Sequence, residues 1–219
     1  MTPKKREVQH ILLQEFELMI SGIILAGGLS TRLGRDKSLE PIENQTMISR
    51  IHEKLLQITS DITIVVNTKE KANKIPLDNV EIAIDLYPNC GSLGGIFTGL
   101  THAKQQWAFI VACDMPFINI KLIQKMIELR ENNDAVVPYL NNFPEPTHAL
   151  YSKNCLPYIE RYLKQNELKI SNFFRDINMK KVTREIIEKY DPDSLSLFNI
   201  NNQKELNSAK QILRNKSKS

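Results

Sequence analysis

Between Ile20 and Lys37 the chain passes from an apolar run (Ile20, Ile23, Ile24, Leu25) through Gly27 and Gly28 into a polar stretch carrying Arg32, Arg35 and Lys37. No other passage constrains the fold as much. Consecutive rather than alternating apolar residues fit a strand buried on both faces, as in parallel sheets covered by helices. The predicted strand ends at Leu25. Beyond it the glycines allow close approach of the backbone and expose its N–H groups, with cations beside them. Amides and a lysine so arranged make a cradle for a polyphosphate. The spacing matches neither of the commoner phosphate loops. A G-x-x-x-x-G-K-[ST] loop needs one residue fewer between Gly28 and Gly34 and has no Arg35-Asp36 before its lysine. A G-x-G-x-x-G turn is not supplied by Gly27-Gly28-Leu29-Ser30.

Downstream, strand-like and helix-like patterns alternate. Apolar β-branched runs occur at 62–66, 80–84 and 107–112, and shorter ones at 135–138 and 147–151. Between them, Met47, Ile51, Leu55 and Ile58 form one helical stripe over 46–58, and Ile120, Ile123, Ile127 and Arg130 another over 120–131. Further helices are predicted over 154–164 and 203–213. This alternation predicts an α/β fold with a mostly parallel sheet, Rossmann-like in the broad sense. Residues 1–18 are charged, then helix-prone, and read as an N-terminal extension; Met19 could itself begin a chain. Residues 19–214 read as a single domain and 215–219 as a basic tail.

In such sheets ligands sit beyond the carboxyl ends of the strands. The residues there are Asn67 after 62–66, Asp85 after 80–84, and Asp114 after 107–112, all expected to converge with the glycine turn and Lys37. Asp114 suits Mg²⁺, a hard ion often held by one or two carboxylates together with substrate phosphates. The alternative, a helix N-cap, is better filled by Asn119. Asp85 could accept the paired N1–H and N2–H₂ donors of guanine, or it could start the turn 86–91. Gly91 to Gly95 open an apolar helix, 96–103, and place amides and small residues near the same crevice, suited either to a nucleotide or to close helix–sheet packing. Glu145-Pro-Thr-His148 and Asn199-Ile-Asn201 are polar islands beside strand-like segments. His148 reads as a hydrogen-bonded structural residue rather than a catalyst.

Composition excludes other classes. A net charge of +4 over 219 residues fits anionic substrates, but the basic residues are dispersed and lack the aromatic interleaving of a nucleic-acid binder. The apolar runs fall far short of the ~20 residues of a membrane span. Cys90, Cys113 and Cys155 show neither metal-ligand spacing nor an even disulfide framework, as in a reduced, cytoplasmic protein.

Taken together these blocks resemble the molybdenum cofactor guanylyltransferases. Leu25 to Lys37 follows the family pattern L-A-G-G-x-S-x-R-x-G-x-D-K. Tyr87 to Gly95, Ala112-Cys-Asp-Met-Pro116, Glu145 to Ala149 and Phe198 to Asn201 resemble later blocks in the same order. The resemblance covers about Ser21 to Ala209; Asn202-Gln203-Lys204 departs from the usual Thr-Pro-Glu. It implies a three-layer Rossmann-like nucleotidyltransferase fold and Mg²⁺-dependent transfer of GMP from GTP to the terminal phosphate of molybdenum-molybdopterin. Leu25, Ala26 and Gly27 would contact GTP, Lys37 its phosphates, and Asp85 and Asn67 the guanosine. Asp114 would hold Mg²⁺, and Gly91, Gly95, Asn199 and Asn201 match positions linked to guanine or molybdopterin. Lys37 and Asp114 would be catalytic. Transient contact with molybdopterin-handling proteins is implied, without nucleic acid or membrane. The rival readings are a cytidylyltransferase of molybdopterin or of another small phosphate, and a non-catalytic molybdopterin- or nucleotide-binding module.

Overall fold

A computed structural model of the chain describes residues 20–28, 37–78 and 80–216. In chain order its elements are β1 (Ile20–Leu25), β2 (Pro41–Ile42), β3 (Gln45–Thr46), α1 (Met47–Leu55), β4 (Ile62–Val66), α2 (Lys69–Ala72), β5 (Glu81–Ile84), α3 (Gly91–His102), β6 (Trp107–Ala112), α4 (Ile120–Glu128), β7 (Ala135–Leu140), β8 (Phe143–Pro144), β9 (His148–Ser152), α5 (Leu156–Lys164), β10 (Met179–Val182), α6 (Arg184–Tyr190) and α7 (Gln203–Lys216). The segment 1–18 lies outside the described residues, and α7 continues through Lys216, into the stretch expected as a tail.

The main sheet runs β10-β7-β9-β6-β1-β4-β5, with β8 paired to β7. Pairings β1–β4, β1–β6, β4–β5 and β7–β10 are parallel; β9 runs antiparallel to both of its neighbours. The expected mostly parallel sheet is therefore present, with one reversed strand inserted in it. All six residues of β1 are buried, Ser21 and Gly22 with the apolar Ile20, Ile23, Ile24 and Leu25.

Helices cover both faces. Ile20, Ile24, Ile64, Val66, Phe109 and Val111 point to one side, where they meet Ile51 and Leu55 of α1, Leu122, Ile123 and Met126 of α4, and Ile187 of α6. Ile23, Leu25, Val65, Ala108 and Ile110 point to the other, against Leu93, Ile96 and Leu100 of α3 and Ile159 and Leu163 of α5. α7 contributes Leu206, Ala209 and Leu213 to a smaller cluster with Ile42, Met47, Phe117 and Ile200. Local signals set the helix starts. The Thr46 hydroxyl accepts the Ser49 N–H at 3.2 Å, and Asn119 Oδ1 accepts the Leu122 N–H at 3.2 Å, so Asn119 takes the capping role. α3 packs so close to β1 that a Cβ on Gly99 would overlap Ile23 Cγ2.

β10 and α6 escape the apolar pattern. Among the described residues β10 pairs only with β7, and it exposes Lys180 and Lys181, leaving Val182 as its one fully buried residue. α6 buries only Ile187.

Candidate active site

The parallel register aligns the ends of four neighbouring strands. Leu25 stands opposite Val65 on one side and Ala112 on the other, and Val66 stands opposite Ile84. Main-chain bonds carry the alignment one residue further: Ala26 N–H to Val65 O at 2.8 Å, Asp85 N–H to Val66 O at 2.8 Å, and Cys113 N–H to Leu25 O at 3.0 Å. Ala26, Asn67, Asp85 and Cys113 thus form a row, with Asp114 beyond it. Asp85 and Asp114 follow strands three positions apart in the sheet, which at the usual strand spacing is about 14 Å. A single small group cannot bridge the two carboxylates, so a ligand touching both would have to be extended.

These ends open into a cavity of about 640 Å³, within the range of small-molecule sites. Its walls include Leu25, Gly27, Asn67, Asp85, Gly91, Gly95 and Asp114, all expected from the sequence. Ala26 lies fully buried in the row itself. Lys37 begins a short 3₁₀ turn, Lys37–Leu39, and the loop 29–36 lies outside the described residues. Asn199 and Asn201 are not on the cavity wall. They flank Ile200, whose N–H donates to the Asp114 carbonyl at 2.9 Å, so their segment is tied to the aspartate's own backbone. The Glu145–His148 island is tied to the same strand end, because Ala112 N–H donates to Thr147 O at 2.9 Å.

α3 begins at Gly91, earlier than the apolar pattern suggested, and Gly91 takes φ = +61°, a conformation natural to glycine. Its first turn therefore faces the cavity. Residues on the wall that the sequence did not single out are Val65, Thr68, Pro88, Asn89, Ala112 and Cys113. Most lie close in the chain to expected positions, and a rule that names one residue per strand end stops short of them. Lys71 Nζ approaches the Gly28 carbonyl at 3.5 Å, bringing another cation to the start of the glycine loop.

Of the two readings left open for Asp85, the turn is present. Its Oδ1 accepts the Tyr87 N–H at 3.0 Å, which starts a turn, yet the residue also lines the cavity. Burial raises the Glu145 carboxyl above its ordinary range. His148 corrects an expectation. It is structural and fully buried, but neither ring nitrogen has a hydrogen-bond partner among the described residues. Its ring packs edge-on against Phe109 with centroids 4.9 Å apart, and burial lowers its pKa to about 4, the Asp191 carboxylate opposing. An imidazole in that position is neutral and is no general base for the cavity.

No group of three or more His, Cys, Asp and Glu side chains able to cage a metal occurs among the described residues. A hard carboxylate oxygen on an open wall, at Asp114, nevertheless fits Mg²⁺, which takes few protein ligands and completes its shell with water and substrate phosphate. Among the described residues no helix is long and apolar enough to cross a membrane.

A family model described as the MobA-like NTP transferase domain matches residues 22–181. A molybdenum cofactor guanylyltransferase of Desulfosudis oleivorans is 36% identical over 201 residues, covering 89% of this chain and 96% of its own. A probable molybdenum cofactor guanylyltransferase of Natranaerobius thermophilus is 34% identical over 197 residues, with 89% and 96% covered. Among solved structures, molybdopterin-guanine dinucleotide biosynthesis protein A of Archaeoglobus fulgidus superposes with a TM-score of 0.80 at 26% identity, covering 90% of this chain and all of its own.

Proposed function

The chain belongs to the MobA-like NTP transferase family, and from that premise we propose that it transfers GMP from GTP to the terminal phosphate of molybdenum-molybdopterin, releasing pyrophosphate. It is a nucleotidyltransferase of molybdenum cofactor biosynthesis. The observation that carries the reading is a single cavity holding the β1 glycine turn, Asp85 and Asp114 on aligned strand ends.

The acceptor is a phosphate monoester whose second pKa is about 6, so at neutral pH it is largely dianionic and needs no general base. The neutral, buried His148 accords with that. The barrier lies in bringing anions together and in the charge that develops on the leaving pyrophosphate. Leu25, Ala26 and Gly27 offer the backbone against which the triphosphate lies, and Lys37 neutralises its oxygens. Asp85 takes the base, with Asn67 beside it. Asp114 holds Mg²⁺, which when bound supplies positive charge to the phosphates. Gly91 and Gly95 keep the first turn of α3 open to the ligand, and the Asn199–Asn201 segment lies on the Asp114 side, where the molybdopterin would enter. We place the reaction in the cytoplasm, where all three cysteines stay free, with transient contacts to proteins that deliver molybdopterin.

Pyrophosphate release tests the proposal. With molybdenum-loaded molybdopterin and Mg²⁺, GTP should support release and CTP should not; release with CTP alone would replace the guanylyl assignment by a cytidylyl one.

A further inference from the structure

Asp85 is held by one of its two oxygens. Oδ1 accepts the Tyr87 N–H at 3.0 Å and the Thr98 hydroxyl at 2.8 Å. The same hydroxyl accepts the Leu86 N–H at 2.9 Å. Since Leu86 N–H can only donate, the Thr98 proton must go to Asp85, and the direction of the chain is fixed. Thr98 lies on α3 and is fully buried, so water does not reach its hydroxyl. Two donors occupy Oδ1. Oδ2 takes no hydrogen bond from any described residue. It lies 3.2 Å from where a Cβ on Gly94 would stand, and that same Cβ would meet the Tyr87 carbonyl at 2.7 Å. Gly94 thus has no side chain to cover Oδ2, and Asp85 itself lines the cavity.

We propose that Thr98 is a positioning residue for nucleotide choice: by pinning Oδ1 it presents Oδ2 alone, as an acceptor of fixed direction, to the N–H donors of a guanine base. This rests on Asp85 being the base contact. The pinning has a consequence for the amide. In Asp85→Asn the side-chain oxygen must stay at the Oδ1 position, because both groups facing it donate, so the NH₂ turns toward the base. Guanine presents donors on that edge and is repelled, whereas adenine N1 is an acceptor.

Calorimetric titration of the full chain with GTP and with ATP, in Mg²⁺, tests this in four variants. Asp85→Ala should remove the preference for GTP. Asp85→Asn should bring the ratio at least tenfold below that of the unaltered protein and favour ATP relative to the Ala variant. Thr98→Val should lower the preference about tenfold, and Thr98→Ser, which keeps the hydroxyl, should hold it within about twofold. Full GTP preference in Asp85→Ala overturns the base assignment itself and the proposal with it. Loss in Asp85→Ala but retention in Asp85→Asn shows an amide free to turn, and overturns the pinning alone. Equal loss in Thr98→Ser and Thr98→Val assigns the effect to packing of the methyl group and overturns the role of the hydroxyl. If Thr98→Val does not fold, the Asp85→Asn ratio still decides.

Discussion

Replacing the Asp114 carboxylate by the methyl of alanine removes the proposed Mg²⁺ ligand on the β6 side of the cavity, without opening the core. Asp114→Ala should lower Mg²⁺-dependent transfer by roughly 10²–10³-fold, the usual cost of deleting a preorganised group that stabilises transition-state charge. Its thermal unfolding should stay near that of the unaltered protein; undiminished pyrophosphate release would remove Asp114 from the metal role. Lys37→Ala should weaken GTP binding about tenfold, worth ~1.4 kcal/mol, and an unchanged calorimetric affinity would take the lysine out of the phosphate site. His148 makes a different prediction, about stability. Its folded pKa is lowered to about 4 from a reference of 6.5. Below the unfolded value the unfolded chain therefore binds a proton that the native state refuses. Stability is fully present above pH 6.5 and falls as pH drops toward 4, by about 2 kcal/mol between pH 7 and pH 5. Urea unfolding at those two pH values should show the loss, and His148→Phe should reduce it by about that amount; an unchanged slope would mean that the imidazole is solvated. Asp85 and Asp114 were legible because each ends an apolar run. Thr98 was not. Its hydroxyl matters only because α3 folds back under the end of β5, a contact between residues thirteen apart that no local pattern announces.

At the scale of elements, α3 carries the site on its first turn and the sheet contact on its last. Gly99 is the point of closest approach to β1, where an added Cβ would overlap Ile23. Gly99→Ala should push the helix outward and destabilise the protein by about 1–3 kcal/mol, as overpacking commonly does. The urea midpoint reads this directly, and a midpoint unmoved would mean that α3 has room to shift. Elements that bury a full stripe or run were readable in advance: α1 with Met47, Ile51 and Leu55, β1 with six buried residues, and β6. The reason is that burial on one or both faces forces a periodicity on the sequence. β10 and α6 obey no such demand, since each sits at the margin of the sheet and buries little. The β2–β3 hairpin, two residues a side, is too short to show a period at all.

For the whole molecule, the order β6-β1-β4-β5 matters most, because it turns four separated sequence segments into one row of strand ends. The sequence named those ends and their convergence, but their order depends on pairing that only the folded chain reveals. β9 illustrates the limit: its residues 148–152 read as a strand, and nothing local says that it runs against its neighbours. That reversal brings the Glu145–Thr147 segment to the end of β6, beside Asp114, where an acceptor would approach the nucleotide. The modest net charge of +4 suits the proposed reaction of two anionic substrates, in which Lys37 and Mg²⁺, rather than a broad basic surface, would meet their charge locally. The central claim is guanylyl transfer to molybdopterin, and the mass of the product tests it most directly. Incubation with GTP, CTP, Mg²⁺ and molybdenum-loaded molybdopterin should give the acceptor enlarged by one GMP, with one pyrophosphate released for each. A product carrying CMP, or an unaltered acceptor with no pyrophosphate, would contradict it.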